Sequence, residues 1–156
     1  MERRGIPFAV VYGNHDDAIG VSKEDQLKMY QQHSLCLMRD DEPELSGCGN
    51  YNLPILSSDG QRTAFNLYFI DSLGGGGSYY DYVKQDQIDW YVRTSNALKA
   101  ANGGVPVPSM EFQHIPLPEL RTVASEGLIH TGENNEGVSG PYYNSGLFQA
   151  WCSRAI

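Results

Sequence analysis

Basic residues are scarce in this sequence. Eleven lysines and arginines stand against 19 aspartates and glutamates, for a net charge of −8. No run of Lys or Arg forms a basic stripe. Such a chain repels nucleic acid and anionic membrane surfaces at long range, so neither is expected as a partner. An anionic ligand would need a local positive centre, and a metal ion is the obvious source in an acidic chain. Long apolar runs are missing too. Nothing approaches 18 consecutive apolar residues, so no membrane span is predicted. The apolar stretch from Ile6 to Tyr12 meets His15, Asp16 and Asp17 almost at once and has no small-residue cleavage site, which makes it a poor signal peptide. Cysteine is limited to Cys36, Cys48 and Cys152. An odd count without tight pairs argues against a disulfide framework and a Cys-type zinc site, with a Cys36–Cys48 bridge as the lesser alternative. The cytoplasm is the expected compartment.

What is present suits one domain over residues 1–156. A chain of this size can bury roughly 68–70% of its unfolded surface. Its 17 glycines and 8 prolines predict many loops. Pro7–Tyr12 is a short apolar run closed by Gly13, the pattern of a buried strand. Ser22 and Asp25 mark a helix start, with helical spacing to about His33. Tyr51–Leu56 and Thr63–Asp71 flank Ser57-Ser58-Asp59-Gly60 and predict a hairpin. Gly74–Gly77 is a break, read as a flexible lid and not as a phosphate loop, because no Gly-Lys-(Ser/Thr) ending follows. Ile88, Tyr91, Val92, Ser95 and Leu98 recur at helical spacing, and Gly103-Gly104 stops that helix. Prolines 106, 108 and 116 keep Val105–Ile115 extended. Short helices are expected over Pro118–Ser125 and Gly146–Ala155, with loop between. Strands alternate with helices, so the class is α/β or α+β.

Two segments carry candidate chemistry. Gly13-Asn14-His15-Asp16 follows the first apolar run, where an open α/β sheet presents its ligands. It offers a carbonyl oxygen, an imidazole and a carboxylate after a residue that allows a sharp turn. A plain Gly-Asn turn explains the tetrapeptide equally well. Phe112-Gln113-His114-Ile115-Pro116-Leu117-Pro118-Glu119 delivers a second histidine at the end of an extended segment. A lone His in such a place is usually a satisfied core residue. The Glu133–Glu136 cluster could line a substrate pocket or be a solvated loop. His33 and His130 lack any ligand context and read as structural.

Together these segments resemble the calcineurin-like metallophosphoesterases, in the branch related to purple acid phosphatases. The likeness extends to Phe69-Ile70-Asp71-Ser72, Gln87-Ile88-Asp89-Trp90, Gly132-Glu133 and Asn144–Phe148, and covers roughly Pro7 to Ala150. It implies a two-sheet sandwich flanked by helices, of which this chain would hold the central part, incomplete at both ends. It implies a phosphoester substrate and two divalent transition metals, Mn, Fe or Zn, whose bridging hydroxide attacks phosphorus. Asn14 and His114 would ligate one metal. His15 would be catalytic, stabilising the phosphoryl oxygens or protonating the leaving oxygen. Gly13 and Asp16 would support them by shaping the turn and fixing the imidazole. The family's Asp-x-His, Gly-Asp-x-x-Asp and Gly-His-x-His blocks are absent. The chain is therefore expected to be inactive by itself, to hold metal weakly and to form oligomers through unpaired strand edges. The alternative is a non-catalytic, degenerate module that binds a partner.

Overall fold

The computed structural model describes residues 1–18, 20–74, 79–127 and 137–154. A short 3-10 turn, Glu2–Arg4, precedes helix α1 (Lys23–Tyr30). Strands β1 (Tyr51–Leu56) and β2 (Thr63–Phe69) follow, then helix α2 (Gln85–Ala101), strand β3 (Ser109–Phe112), and helices α3 (Glu119–Ser125) and α4 (Leu147–Cys152). The sheet has the order β1-β2-β3. β1 and β2 are antiparallel, with Tyr51 opposite Phe69. β3 runs parallel to β2, with Glu111 opposite Tyr68 and Phe112 opposite Phe69. A parallel pair needs a long crossover, and α2 supplies it. The α/β class is borne out. The described residues form one mixed sheet of three strands.

The predicted helix starts and turns form for the expected reasons. The Ser22 hydroxyl caps α1 by accepting the Asp25 N–H at 3.1 Å. In the hairpin, the Asp59 carboxylate accepts from the Ser57 hydroxyl at 2.5 Å and from the Gln61 N–H at 3.0 Å. Pro54 is tolerated because β1 is an edge strand whose proline needs no ladder donor.

Side chains alternate across β2, so the sheet has a core on each face. On one face Tyr68 and Ile70 meet Ile88, Trp90 and Tyr91 of α2 and Leu147 of α4. The Tyr68 and Tyr91 rings meet edge-on, 4.9 Å between centroids. On the other face Tyr12, Leu27, Met38, Cys48, Tyr51 and Phe69 cluster. Phe69 stacks on Tyr51 at 4.6 Å and on Phe112 at 5.2 Å. All three cysteines are free, so the Cys36–Cys48 bridge does not form. No helix among the described residues is long and apolar enough to cross a membrane.

Pro7–Tyr12 departs from expectation. It is buried at Tyr12, as an apolar run should be, but it is not a strand. A single parallel bridge joins Phe8 to Cys36. Beyond it the backbone finds no ladder among the described residues, and one side chain takes over. The Tyr51 hydroxyl accepts the Val10 N–H at 3.1 Å and donates to the Val10 carbonyl at 2.7 Å. The Tyr12 hydroxyl donates to the Lys23 carbonyl at 2.7 Å and ties the end of the run to α1.

On β3, Glu111 shares its face with Tyr68 and lies against α2, where one carboxyl oxygen is buried without a partner among the described residues. Burial pushes this carboxyl up from 4.5 to about 8.

Two outcomes follow from this packing. Tyr51→Phe strips both partners from Val10 and should cost about 1–3 kcal/mol in urea unfolding. Glu111 binds more protons folded than unfolded, so its contribution to stability declines as pH rises from about 4.5 to about 8. Melting curves across that window should fall less steeply for Glu111→Gln than for the parent chain.

Candidate functional site

The two candidate ligand segments, 100 positions apart in sequence, meet. His114 Nε2 donates to Asn14 Oδ1 at 3.0 Å. Asn14 sits in the turn that follows the buried Tyr12, and His114 sits just past the end of β3. Gly13 makes the approach possible. A Cβ at position 13 would lie 3.0–3.2 Å from the His114 ring, tighter than nearly all real contacts. Asp16 folds the turn back on itself, its carboxylate accepting the Gly13 N–H at 2.5 Å. Gln26 of α1 is buried beneath the turn, and its amide donates to the carbonyls of Asp16 and of Val21, the latter at 2.9 Å. His15 projects from the turn with its side chain exposed.

A buried polar hub holds both segments in place. Asp71, two residues past the end of β2, is 1% exposed. It accepts Lys23 Nζ at 2.8 and 2.9 Å, the Cys48 N–H at 3.0 Å and the Leu73 N–H at 3.0 Å. Its N–H donates to Asn50 Oδ1 at 3.2 Å. Gln87 of α2 donates to the same Asn50 oxygen at 2.9 Å and to the Asp71 carbonyl at 2.7 Å. The Ser72 hydroxyl accepts the Ile115 N–H at 2.9 Å, beside His114. Gly47 lets the loop before β1 close over the carboxylate, since a Cβ there would lie 2.9 Å from Asp71 Oδ2. Asp71 thus grips α1, which follows the Asn14 turn, while Ser72 grips the His114 segment.

Downstream, the Pro-Leu-Pro-Glu exit is tied to the start of α4. Asn144 Nδ2 donates to Glu119 Oε1 at 2.5 Å, and Asn144 Oδ1 accepts the Gly146 N–H at 2.9 Å.

Of the expected site residues, Gly13, Asn14, Asp16 and His114 come together, and His15 adjoins them in the chain. His33 lies apart and pairs with Glu2 at 3.0 Å on the surface. His130, Gly75–Gly77 and the Glu133–Glu136 cluster fall outside the described residues. Lys23, Gln26, Asn50, Ser72 and Gln87 form the scaffold without having been singled out as such. The sequence signals for them are two segments of the family likeness, Asp71-Ser72 after an apolar strand and Gln87-Ile88-Asp89-Trp90.

Two donor atoms about 3.0 Å apart match neighbouring ligands on a single ion with bonds of about 2.0–2.2 Å. A carbonyl oxygen and an imidazole suit a first-row transition metal. The pair therefore fits one side of a metal shell. No group of three or more His, Cys, Asp or Glu residues gathers to complete it among the described residues.

Comparison with known proteins adds an independent line. The chain is 31% identical over 164 residues to "Probable inactive purple acid phosphatase 14" of Arabidopsis thaliana, covering 92% of the chain and 41% of the relative. It is 30% identical to "Probable inactive purple acid phosphatase 29" of the same plant, covering 96% and 43%. To "Phosphatase DCR2" of Saccharomyces cerevisiae it is 32% identical, covering 91% and 27%. The chain belongs among the purple-acid-phosphatase-related proteins. It spans about two fifths of the length of the plant phosphatase relatives. No family model matches it, and no solved structure matches it.

Two measurements check this site. Lys23→Met leaves the Asp71 carboxylate buried without its cation and should cost about 3–5 kcal/mol in chemical unfolding. With two of the three or more protein ligands a catalytic site needs, the 156-residue chain should retain well under one equivalent of transition metal after exhaustive dialysis, measured by elemental analysis.

Proposed function

We propose that this chain is part of a metal-dependent phosphoesterase domain, a phosphoric ester hydrolase. The observation that carries the reading is the convergence of Asn14 Oδ1 and His114 Nε2 at 3.0 Å beside an exposed His15. Relatives named as phosphatases support it. In this reading the three-stranded sheet is one portion of a larger two-sheet sandwich.

Asn14 and His114 would hold one divalent transition metal, Mn, Fe or Zn. Bound metal would supply Lewis-acid neutralisation of the phosphoryl oxygens and an activated water. The chain's own residues do the rest. His114 Nε2 donates its hydrogen to the Asn14 carbonyl, and once that proton shifts to Nδ1 both atoms would present lone pairs to the same point, where the Lys23–Asp71 and Ser72–Ile115 contacts hold them. Asp16 holds the backbone of the turn. His15, next to Asn14 and open to solvent, donates a proton or hydrogen bond to a phosphoryl or leaving oxygen. The net charge of −8 makes this local positive centre necessary for an anionic ester to approach.

The test is p-nitrophenyl phosphate hydrolysis with added Mn, using the longest product that the coding DNA specifies. Turnover should fall by about 10²–10⁴-fold in His15→Ala. In Asn14→Ala, metal retention should fall with activity. A folded, metal-loaded protein with no turnover would sink the hydrolase reading and leave a module that binds a partner.

A further inference from the structure

The segment that leaves β2 touches every part of the candidate site. Asp71 holds α1 and Ser72 holds the His114 segment, while Gly74 lies against Asn14 itself. A Cβ at position 74 would sit 3.3 Å from the Asn14 carbonyl oxygen, 3.4 Å from its Cα and 3.8 Å from its carbonyl carbon. These three nearest heavy atoms are all Asn14 backbone. A glycine hydrogen fits that gap. A methyl group fits only if the Asn14 backbone gives by a few tenths of an ångström.

The bend that delivers Gly74 is strained. Leu73 has a φ of 64°, the one positive φ on a non-glycine residue among the described residues. A side chain opposes that conformation, so surrounding contacts must impose it. Two do so here. The Leu73 N–H donates to Asp71 Oδ1 at 3.0 Å. The Leu73 side chain packs on the loop before β1, where a Cβ at Gly47 would lie 2.9 Å from Leu73 Cδ2. The carboxylate that Lys23 neutralises therefore also steers the chain towards Asn14.

We propose that Gly74 is a positioning residue for Asn14, a role that rests on the metal-ligand reading of Asn14. His114 reaches the Asn14 side chain and Gly74 braces its backbone, so the contact at position 74 sets where Asn14 Oδ1 stands relative to His114 Nε2. Asn14 lies in a turn outside any helix or strand and depends on such contacts for its placement. Partners that orient a metal ligand tune affinity by about 10–100-fold. Leu73 acts through Gly74, by holding the bend.

The experiment is nuclear magnetic resonance of the 156-residue chain, first metal-free and then titrated with Mn, whose paramagnetism broadens the signals of groups beside it. In the parent chain, Gly74 α protons should show a nuclear Overhauser contact with the Asn14 α proton, and the Asn14 side-chain amide one with the His114 ring. The φ of Gly74 lies outside the left-handed region, so alanine suits the backbone there and Gly74→Ala should melt close to the parent. In that variant the Asn14–His114 contact should weaken, and broadening of both residues should need roughly tenfold more Mn. Leu73→Ala keeps the cost of the bend and removes the packing that imposes it, so it should change both readouts in the same direction. A merely structural glycine would shift the melt and leave the Mn midpoint alone. The proposal is overturned if the Gly74–Asn14 contact is missing from the parent spectrum. It is also overturned if the folded variants keep the parent's Asn14–His114 contact and Mn midpoint. Should Gly74→Ala not fold, Leu73→Ala decides. If Mn broadens neither residue in the parent chain, the metal reading of the site fails, and the Overhauser contacts of parent and variants still decide the role of Gly74.

Discussion

The Asp71 carboxylate is the constraint on which the arrangement rests. A buried carboxylate is tolerated only when its charge is paired and its lone pairs are occupied. Lys23 supplies the charge, and the N–H groups of Cys48 and Leu73 supply donors. Those three groups belong to α1, to the loop before β1 and to the segment after β2. Satisfying one carboxylate therefore fixes three pieces of chain at once. Gln87 and Asn50 extend the grip to the start of α2 through the Asp71 backbone. Such a network specifies a geometry even where its net contribution to stability is small.

That geometry is what gives the site its shape. Asn14 lies in a turn with little regular structure to support it, and His114 lies just beyond a four-residue strand. Neither segment is rigid by itself. The turn is held by its own Asp16, by Gln26 and by the anchored start of α1. The histidine is held because the residue after it donates to Ser72. Two donor atoms 100 positions apart meet at 3.0 Å because Asp71 and Ser72 are adjacent at the end of a central strand. Residues at the end of a central parallel strand are well placed for this, since several connections converge there.

Much of the local structure was legible in the residues. Ser22 and Asp25 announced α1, Asp59-Gly60 announced the hairpin, and Gly103 announced the end of α2, because caps and turns depend on neighbours a few positions away. The Gly-Asn-His-Asp and Phe-Gln-His-Ile-Pro segments were legible as a pair through their likeness to a known family. The strand expected over Pro7–Tyr12 was misread. Apolar composition marks a segment for burial, but a strand also needs a backbone partner, and here the Tyr51 hydroxyl takes that place at Val10. Nothing in the spacing of Tyr51 and Val10 could have announced it.

Composition, charge and short-range pattern thus determined which segments turn, which coil into helices and which residue types could hold a metal or touch a phosphate. These properties depend on contacts within a few residues, or on sums over the chain. The tertiary structure decided that Asn14 and His114 share one point, that Lys23 neutralises Asp71, and that one carboxyl oxygen of Glu111, on an otherwise ordinary strand, is buried without a partner among the described residues. Each of these is a long-range placement, settled by which buried polar groups could be paired once the two faces of the sheet were covered.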